Sequence, residues 1–323
     1  MDKIIIAGPY NAVAKQKMIA DLESDFQVAS IASPDEFELH LDAQFIILRT
    51  INLSAEVIAR MPNLKMIQRW GAGVDIIDVD EASKRGIPVA NIAGENAPTV
   101  AELTVALMLG VYRQTVTIHN ALHRGEWIKD GIDKRCFMIS DKTVGIIGLG
   151  NIGKHLAKIT QAMGAQVQYY DTVRCPELEE KMDYRYVALE ELLRTSDIVT
   201  LHIPLGDETH YIIGAEQLAM MKPSAILINA SRGGLVDEKA LYKALQENRL
   251  LGAGLDCYEN EPLPADSPLL ELDNVVLSCH VGGNTADLAL RLARRCPQNI
   301  RDYTQGRLDA KYVVNREATR YGA

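Results

Sequence analysis

The stretch from Lys142 to Asp171 reads KTVGIIGLGNIGKHLAKITQAMGAQVQYYD, and this pattern decides the fold. Residues 143–147 form a short, apolar, β-branched run that predicts a strand. A glycine turn follows without a gap, and apolar residues at helical spacing then run from Ile152 to Met163. A second strand is predicted from Gln166 to Asp171. The pattern therefore predicts a strand, a tight turn, a helix and a second strand that finishes on an acid.

The glycines of the turn, Gly148, Gly150 and Gly153, have the spacing of a dinucleotide-binding loop. The first permits the tight turn, the second lets the backbone approach a pyrophosphate, and the third lets the helix pack near the strand. The pyrophosphate would lie at the helix N-terminus beside Asn151 and Ile152, where N–H groups and the helix dipole favour an anion. An ordinary glycine turn is the alternative, and the complete arrangement of strand, turn, helix and acid argues against it.

Asp171 lies eighteen residues beyond Gly153, close to the spacing at which an acid accepts hydrogen bonds from the adenosine ribose. A carboxylate there would repel a 2′-phosphate, so the sequence favours NAD over NADP. Arg174 leaves the alternative open, because its guanidinium could pair with that phosphate.

The composition limits the possible partners of the chain. No apolar run approaches the ~20 residues of a membrane span, and the formal net charge of −9 argues against binding to nucleic acid or an anionic membrane. The five cysteines are scattered without a C-x-x-C pair, which suits reduced thiols. We therefore expect a cytoplasmic protein that captures anions through local arginines.

Short apolar segments alternate with helical patterns along the whole chain, which predicts two Rossmann-like α/β domains with parallel sheets. We expect a flavodoxin-like, discontinuous substrate-binding domain at residues 1–97 plus 286–323, and a doubly wound NAD-binding domain at 98–285. A helix beyond Asp287, followed by the apolar residues 313–314, predicts that the tail returns to the first domain.

A long helix is predicted from Thr99 to about His123. His119 and His123 have a spacing that can grip a metal, but neither an adjacent acid nor a third ligand supports this, so we predict no metal site. The polar stretch around Trp127 lacks strong periodicity and is expected to form an arm against a partner subunit.

A second glycine turn, Gly71-Ala72-Gly73-Val74-Asp75, follows the predicted strand that ends at Arg69. Parallel α/β sheets bind ligands at the carboxyl ends of their strands. The turn is therefore a candidate carboxylate site, although a plain strand-to-helix turn remains an open alternative.

Three residues that suit hydride transfer follow predicted strands: Arg232, Glu261 and His280. Reduction of a 2-oxo acid needs a cation to hold the carboxylate and a proton donor for the alkoxide. A guanidinium provides the first and an imidazole the second. A carboxylate against the other ring nitrogen would fix the tautomer and favour the protonated ring. Each residue alone could be structural, but their joint placement favours a catalytic site.

These motifs resemble those of the D-isomer-specific 2-hydroxyacid dehydrogenase family over nearly the whole chain. The similarity is carried by Gly71–Asp75, Gly148–Gly153 with Asp171, His202-Ile203-Pro204-Leu205, residues 229–237, residues 252–262, and His280-Val281-Gly282-Gly283. The resemblance implies an NAD-dependent enzyme that interconverts a D-2-hydroxy acid and its 2-oxo acid. It implies Arg232 for substrate binding, His280 as the acid/base and Glu261 as the partner of the histidine.

The same resemblance implies further contacts. Asp256 would lie near the nicotinamide carboxamide, Pro204 would contact the cofactor, and the backbone of Ala72 and Gly73 would hold the substrate carboxylate. A homodimer through the NAD-binding domain and the arm around Trp127 is also implied.

The family usually has proline before its catalytic histidine, whereas this chain has Cys279. We expect an altered backbone approach and retained activity. A redox role for this thiol has little support.

Within the family, the chain looks most like the 3-phosphoglycerate dehydrogenases and hydroxypyruvate reductases without a regulatory domain. Arg49, Arg69 and Asn96 fall where the former place groups around the phosphate end of the substrate. They would suit a substrate with a second anionic group, although structural salt bridges of the two arginines remain an equal alternative.

Two other functions remain to be weighed. A non-catalytic, NAD-sensing interaction protein would resemble the transcriptional corepressors of the same fold, and the complete set of Arg232, Glu261 and His280 argues against it. A formate dehydrogenase-like enzyme is disfavoured, because formate oxidation does not need the proton transfer that the carboxylate of Glu261 suits.

Overall fold

The computed structural model describes residues 1–321. The chain divides into two compact units, one formed by Met1–Asn96 together with the chain from Asn284 onward, and the other by Ala97–Gly283. Each unit has a parallel sheet with helices, so the predicted fold class is confirmed.

Within residues 1–321, the first unit contains five parallel strands. They are β1 (Lys3–Ala7), β2 (Gln27–Ile31), β3 (Phe45–Leu48), β4 (Met66–Arg69) and β5 (Val89–Ala90). The helices between them are α1 (Ala12–Leu22), α2 (Ala55–Ala59) and α3 (Val79–Lys84). The sheet order β2-β1-β3-β4-β5 is the flavodoxin-like order that we expected.

Strand β1 shows why this sheet is buried on both faces. Because side chains alternate along a strand, Ile4 and Ile6 lie on one face with Met18, whereas Ile5 lies on the other with Phe37. All five side chains are fully buried. Continuous apolar strands of this kind are typical of parallel sheets covered by helices.

The second unit contains seven parallel strands and seven helices. The strands are β6 (Thr143–Ile147), β7 (Gln166–Tyr170), β8 (Arg185–Tyr186), β9 (Ile198–Leu201), β10 (Ile226–Asn229), β11 (Gly252–Leu255) and β12 (Val275–Leu277). The helices are α4 (Ala97–Tyr112), α5 (Thr115–His123), α6 (Asn151–Ala162), α7 (Pro176–Met182), α8 (Leu189–Thr195), α9 (Ala215–Met220) and α10 (Glu238–Gln246). In the order β12-β11-β10-β9-β6-β7-β8 the chain direction across the sheet reverses between β6 and β9, which is the ligand-binding point of a doubly wound fold.

The chain then returns to the first unit through helix α11 (Ala286–Thr304), as the apolar pattern predicted. The side-chain amide of Asn299 on this helix donates a buried hydrogen bond to Gln68 of β4. Beyond the helix, Val313 forms an antiparallel bridge with Ala90. Short 3₁₀ helices occur at Pro34–His40, Ile132–Lys134, Gly233–Leu235, Pro268–Glu271, Ala310–Tyr312 and Arg316–Ala318.

The prediction of one long helix from Thr99 to His123 is wrong, because α4 and α5 divide that stretch. Gln114 between them adopts a left-handed backbone with φ of 51°. Its side-chain amide donates to the carbonyl of Val111 at 2.9 Å, so that a local contact replaces a helical hydrogen bond. No helix among residues 1–321 is both long enough and apolar enough to cross a lipid bilayer.

The glycine loop after β6 is tightly packed against the start of α6. Gly148 has φ of 97°, a conformation that favours glycine. A Cβ added at Gly153 would lie 2.2 Å from the carbonyl oxygen of Gly148, whereas a Cβ at Gly150 would meet no atom within 4 Å. Gly153 is therefore required for the close approach of helix and strand, and Gly150 faces open space.

The loops after β10 and β11 lock together in the second unit. A Cβ at Gly233 would lie 1.8 Å from the carbonyl carbon of Tyr258, so glycine is needed for this approach. The carboxylate of Glu238 accepts a hydrogen bond from the backbone N–H of Glu259 at 2.5 Å, and the carboxylate of Glu259 accepts one from the N–H of Glu238 at 2.9 Å. Burial raises the pKa of Glu238, and the charges of Glu259 and Glu261 raise it further.

The close approach at Gly153 predicts a stability effect. Gly153→Ala should lower the free energy of unfolding by about 1–3 kcal/mol, because the added methyl overlaps a backbone oxygen that cannot move freely. Gly150→Ala is the matched control and should unfold at the same urea concentration as the wild type. Equal destabilisation of the two variants in urea denaturation would contradict this packing.

The raised pKa of Glu238 predicts a pH-dependent stability. Between the ordinary glutamate pKa of ~4.3 and the raised pKa of Glu238, the folded state binds more protons than the unfolded state. The free energy of unfolding therefore falls as pH rises through this range. Glu238→Gln keeps an oxygen for the N–H of Glu259 and removes the charge, so its Tm should exceed that of the wild type at pH 7 and approach it near pH 4. Glu180→Gln, at an exposed position of α7, should show no such difference, and an unchanged Tm of Glu238→Gln at pH 7 would overturn the prediction.

Candidate active site

The N-terminus of α6, which follows the glycine loop, is not capped by a side chain. Gly150 is the N-cap residue of α6, and no side chain accepts a hydrogen bond at this cap. The N-terminal turn, with Asn151 and Ile152, can therefore present backbone N–H groups to an anion. Together with the open space at Gly150, this fits the pyrophosphate of a dinucleotide.

Asp171 lies directly beside this loop, at the end of β7. One carboxylate oxygen accepts a hydrogen bond from the backbone N–H of Leu149 at 2.7 Å, and the other accepts from Val173 at 3.1 Å. Arg174 forms a forked ion pair with Glu179, with contacts of 2.6 and 2.8 Å. The carboxylate is thus fixed next to the glycines, and the guanidinium is held by another acid.

The segment after β9, which begins at His202, packs against the same glycine loop. A Cβ at Gly148 would lie 2.6 Å from the carbonyl oxygen of His202, so the two backbones touch. Burial lowers the pKa of His202 to about 3, and the neutral ring contacts the hydroxyl of Thr200 at 2.9 Å. The carbonyl of Pro204, a predicted cofactor contact, accepts a hydrogen bond from Thr209 at 2.8 Å. This segment therefore has a structural role beside any contact with the cofactor.

Asp256 organises the turn that carries His280. Its carboxylate is buried and accepts hydrogen bonds from the hydroxyl of Ser278 at 2.7 Å and from the N–H groups of Val281 and Gly282 at 2.9 Å. Its backbone carbonyl accepts from the N–H of His280 at 2.7 Å. His280 has a left-handed backbone with φ of 52°, an uncommon conformation for a residue other than glycine. Asp256 therefore fixes the backbone from which the imidazole projects.

His280 and Glu261 form a direct pair. The Nδ1 atom of the imidazole lies 2.7 Å from Oε2 of Glu261. The other carboxylate oxygen accepts a hydrogen bond from the N–H of Tyr258 at 3.1 Å, which orients the acid. Both side chains are partly exposed. Because Glu261 engages Nδ1, the Nε2 atom is the ring nitrogen available to a ligand.

Arg232 belongs to the same group of residues. Its backbone carbonyl accepts a hydrogen bond from the side chain of Asn229 at 2.8 Å, and its guanidinium donates to the carbonyl of Ser231 at 2.7 Å among its contacts. That carbonyl also accepts a hydrogen bond from the thiol of Cys257 at 3.3 Å.

The thiol of Cys257 lies beside Glu261 and His280 and within the influence of the charge of Arg232. Its sulfur and one ligand atom each of Glu261 and His280 all lie within 4.8 Å of one another. Burial raises the pKa of this thiol, the carboxylates of Asp256 and Glu261 raise it further, and the guanidinium of Arg232 lowers it. Glu261 and His280 therefore lie beside one buried side chain, on which the charge of Arg232 also acts.

The predicted substrate contacts of the first unit lie around its glycine turn. The guanidinium of Arg69 donates to the carbonyls of Gly73 at 2.9 Å and Leu48 at 3.1 Å, so it supports the turn. The carbonyl of Ala72 accepts a hydrogen bond from Asn91 at 2.8 Å. Among the described residues, the backbone N–H groups of Ala72 and Gly73 donate no hydrogen bond, which suits an anion-binding turn.

Three further predicted contacts belong to the first unit, two of them outside the glycine turn. Arg49 donates to the side chain of Asn284 at 3.0 Å and to the carbonyl of Pro9. Asn96 directly precedes α4 and has a polar or charged contact of its own. Val74 follows Gly73 in the turn and is partly buried.

Sequence reasoning missed the positioning contacts of this site. Asp256 was assigned only to the cofactor, and Cys257 and the pair of Glu238 and Glu259 were assigned no role. The register of parallel strands offers a signal, because Leu255 of β11 pairs with Leu277 of β12 and so places Asp256 beside the residues before His280.

The chain is similar to known proteins of one family. The model of the family described as D-isomer specific 2-hydroxyacid dehydrogenase, NAD binding domain, matches residues 105–282. The chain is 39% identical over 280 residues to a glyoxylate reductase of Korarchaeum cryptofilum, which covers 84% of this chain and 82% of that protein. It is 38% identical over 321 residues to a D-3-phosphoglycerate dehydrogenase of Methanocaldococcus jannaschii, which covers 98% of this chain and 60% of that protein.

A solved structure gives the same result. The D-lactate dehydrogenase of Aquifex aeolicus, complexed with NAD and lactic acid, matches with a TM-score of 0.86 at 28% identity and covers 97% of this chain and 99% of that chain. The chain therefore belongs to the D-isomer-specific 2-hydroxyacid dehydrogenase family, whose members act on the CH–OH group of their donors.

Proposed function

We propose that this protein reduces a small 2-oxo acid to the D-2-hydroxy acid with NADH, and catalyses the reverse oxidation with NAD. The observation that carries the proposal is the contact of 2.7 Å between Nδ1 of His280 and Glu261. A histidine fixed in this way has one free nitrogen to exchange a proton with substrate.

The bound nicotinamide would supply or accept the hydride at C2 of the substrate. His280 donates the proton on Nε2 to the carbonyl oxygen as reduction proceeds, and the same nitrogen takes the proton from the hydroxyl in the reverse direction. Glu261 stabilises the protonated imidazole through Nδ1. Arg232 holds the substrate carboxylate through its guanidinium, which is always charged and can bind both oxygens.

The cofactor is proposed to be NAD. Support comes from the carboxylate of Asp171, which is fixed beside the glycine loop, where it would accept hydrogen bonds from the adenosine ribose. Arg174 is paired with Glu179 and stacked over Tyr186, so its charge is already partly neutralised. Both observations disfavour a 2′-phosphate.

The substrate is proposed to be glyoxylate or hydroxypyruvate. Relatives with these activities in their names support the proposal. Arg69 supports the turn at Gly73, and this favours a substrate without a second anionic group. Phosphohydroxypyruvate is the second candidate, because a phosphoglycerate dehydrogenase matches nearly the whole chain. We propose Ala72, Gly73 and Val74 as contacts of the substrate carboxylate, and Arg49 and Asn96 as contacts of any second anionic group.

We also propose a homodimer formed through the second unit, in the cytoplasm. Support comes from large apolar side chains on α5 and the following segment that are exposed in the single chain, namely Val116, Leu122, Trp127 and Met138. The five free cysteines suit a reducing compartment.

The acid/base assignment predicts a loss of turnover. His280→Gln should lower kcat for the oxidation of NADH by glyoxylate about 10²–10⁴-fold, because the proton donor is lost. The Kd of NADH, followed by fluorescence, should change little. Cys279→Ser, at the adjacent exposed residue, is the matched control and should retain its kcat. Turnover of His280→Gln at the wild-type rate would refute the assignment, and no NADH oxidation by wild type with any 2-oxo acid would favour a non-catalytic NAD sensor.

The cofactor assignment predicts a change in selectivity. Asp171→Asn keeps an acceptor for the N–H of Leu149 and removes the charge that would repel a 2′-phosphate. The ratio of kcat/KM for NADH to that for NADPH should fall about tenfold, which corresponds to about 1.4 kcal/mol. Arg174→Gln should leave the ratio nearly unchanged. A wild-type ratio in Asp171→Asn, or a tenfold change in Arg174→Gln, would count against this reading.

A further inference from the structure

We propose that Cys257, Glu261 and His280 form a binding site for a thiophilic divalent cation, with Zn²⁺ as its best match. Occupation of this site would remove the acid/base pair from catalysis. The binding itself follows from the donor atoms alone, whereas the inhibition rests on the proposed function.

The three side chains already stand close to the geometry of a metal centre. One ligand atom of each, a thiol sulfur, a carboxylate oxygen and an imidazole nitrogen, lies within 4.8 Å of the other two. With Zn–S bonds near 2.3 Å and Zn–N or Zn–O bonds near 2.0–2.1 Å, neighbouring ligands of tetrahedral zinc are roughly 3.5 Å apart. The contact of 2.7 Å between Nδ1 of His280 and Oε2 of Glu261 would lengthen toward this spacing, and rotations of these two partly exposed side chains would bring them and the sulfur to it.

The backbone holds these ligands in place without a metal. Cys257 directly follows the Asp256 that fixes the His280 turn, and its thiol contacts the carbonyl of Ser231. Glu261 is oriented by the N–H of Tyr258. A site formed by such ordered segments loses little conformational entropy when it binds a metal.

The donor set selects the class of metal. Thiolate, imidazole and carboxylate are all ligands of zinc, and three protein ligands leave a fourth position for water. Mg²⁺ and Ca²⁺ prefer oxygen ligands at higher coordination numbers, so a site with one sulfur and one nitrogen would reject them. Within residues 1–321, no other three histidine, cysteine or acidic side chains form such a group.

Binding replaces protons by the metal. The thiol of Cys257 loses its proton to solvent, and the proton between His280 and Glu261 is lost when both become ligands. The imidazole then lacks the carboxylate partner that favours its protonated form. Reduction of a 2-oxo acid should therefore stop. The glycine loop follows β6, which β10 and β9 separate from β11 in the sheet, so it should remain able to bind the dinucleotide.

The test measures metal binding directly. Isothermal titration of the reduced protein with ZnCl₂ should show one Zn²⁺ per chain, and the Co²⁺ form should show a thiolate-to-cobalt charge-transfer band. Cys257→Val should weaken Zn²⁺ binding at least about 100-fold and abolish the band, because loss of a direct ligand exceeds the 10–100-fold effect of an outer contact. Cys279→Ser, the neighbouring exposed thiol, should bind Zn²⁺ as the wild type does.

Inhibition is read separately. Zn²⁺ should inhibit NADH oxidation by the wild type and by Cys279→Ser, with recovery on addition of EDTA, and Cys257→Val should be at least about 100-fold less sensitive. Circular dichroism checks that Cys257→Val is folded, and Cys257→Ser provides a second variant if it is not. Equal Zn²⁺ affinity of wild type and both Cys257 variants, or loss of binding in Cys279→Ser alone, would overturn the proposal. If the protein has no activity on 2-oxo acids, the Zn²⁺ titration and the Co²⁺ band should still be observed. Failure of the proposed function can therefore be distinguished from failure of the metal site.

Discussion

The buried carboxylate of Asp256 is the constraint on which the site depends. It is 1% exposed and accepts three hydrogen bonds from the turn after β12. The left-handed backbone of His280 would by itself cost about 1–3 kcal/mol. Hydrogen bonds to an ionised group are roughly twice as strong as neutral ones, so this carboxylate can offset that strain. The position of His280 is thus determined by an acid on the neighbouring strand, which explains how an exposed cysteine can stand at position 279.

The sheet order then assembles the rest. Strands β10, β11 and β12 are adjacent and parallel, so their carboxyl ends lie at one edge of the sheet. Arg232, Glu261 and His280 follow these three strands in turn, although they are far apart in the sequence. Glu261 and His280 meet beside Cys257, and the charge of Arg232 acts on the same thiol. The close contact at Gly233 and the reciprocal bonds of Glu238 and Glu259 hold the first two loops together.

Much of the fold follows from the sequence because parallel strands buried on both faces are continuous apolar runs. The strand predicted at residues 143–147 agrees with β6 to the residue. The break between α4 and α5 was not predictable in the same way. Apolar spacing continues across Gln114. This residue has a left-handed backbone, which glycine usually adopts, so the residue type gives no sign of the break.

The residues of the site could be predicted where their chemical roles follow from a sequence motif. Contacts that depend on two loops lying close together could not be predicted. The pairing of His280 and Glu261 was expected from their chemistry. The proximity of Cys257 to that pair was not, because scattered cysteines in a sequence give no sign of which side chains they meet. Arg69 is a further case, because its hydrogen bonds to the carbonyls of Gly73 and Leu48 were not predicted, and its contact with substrate stays a prediction.

Proton transfer in this site requires that Nε2 of His280 faces the reacting oxygen while Nδ1 is held by Glu261. A crystal structure of the protein with NAD and oxamate, an unreactive mimic of a 2-oxo acid, tests it most directly. We expect Nε2 to lie about 2.6–3.2 Å from the carbonyl oxygen of oxamate, with Arg232 on its carboxylate. An imidazole turned away from oxamate, or oxamate bound without Arg232 and His280, would contradict it.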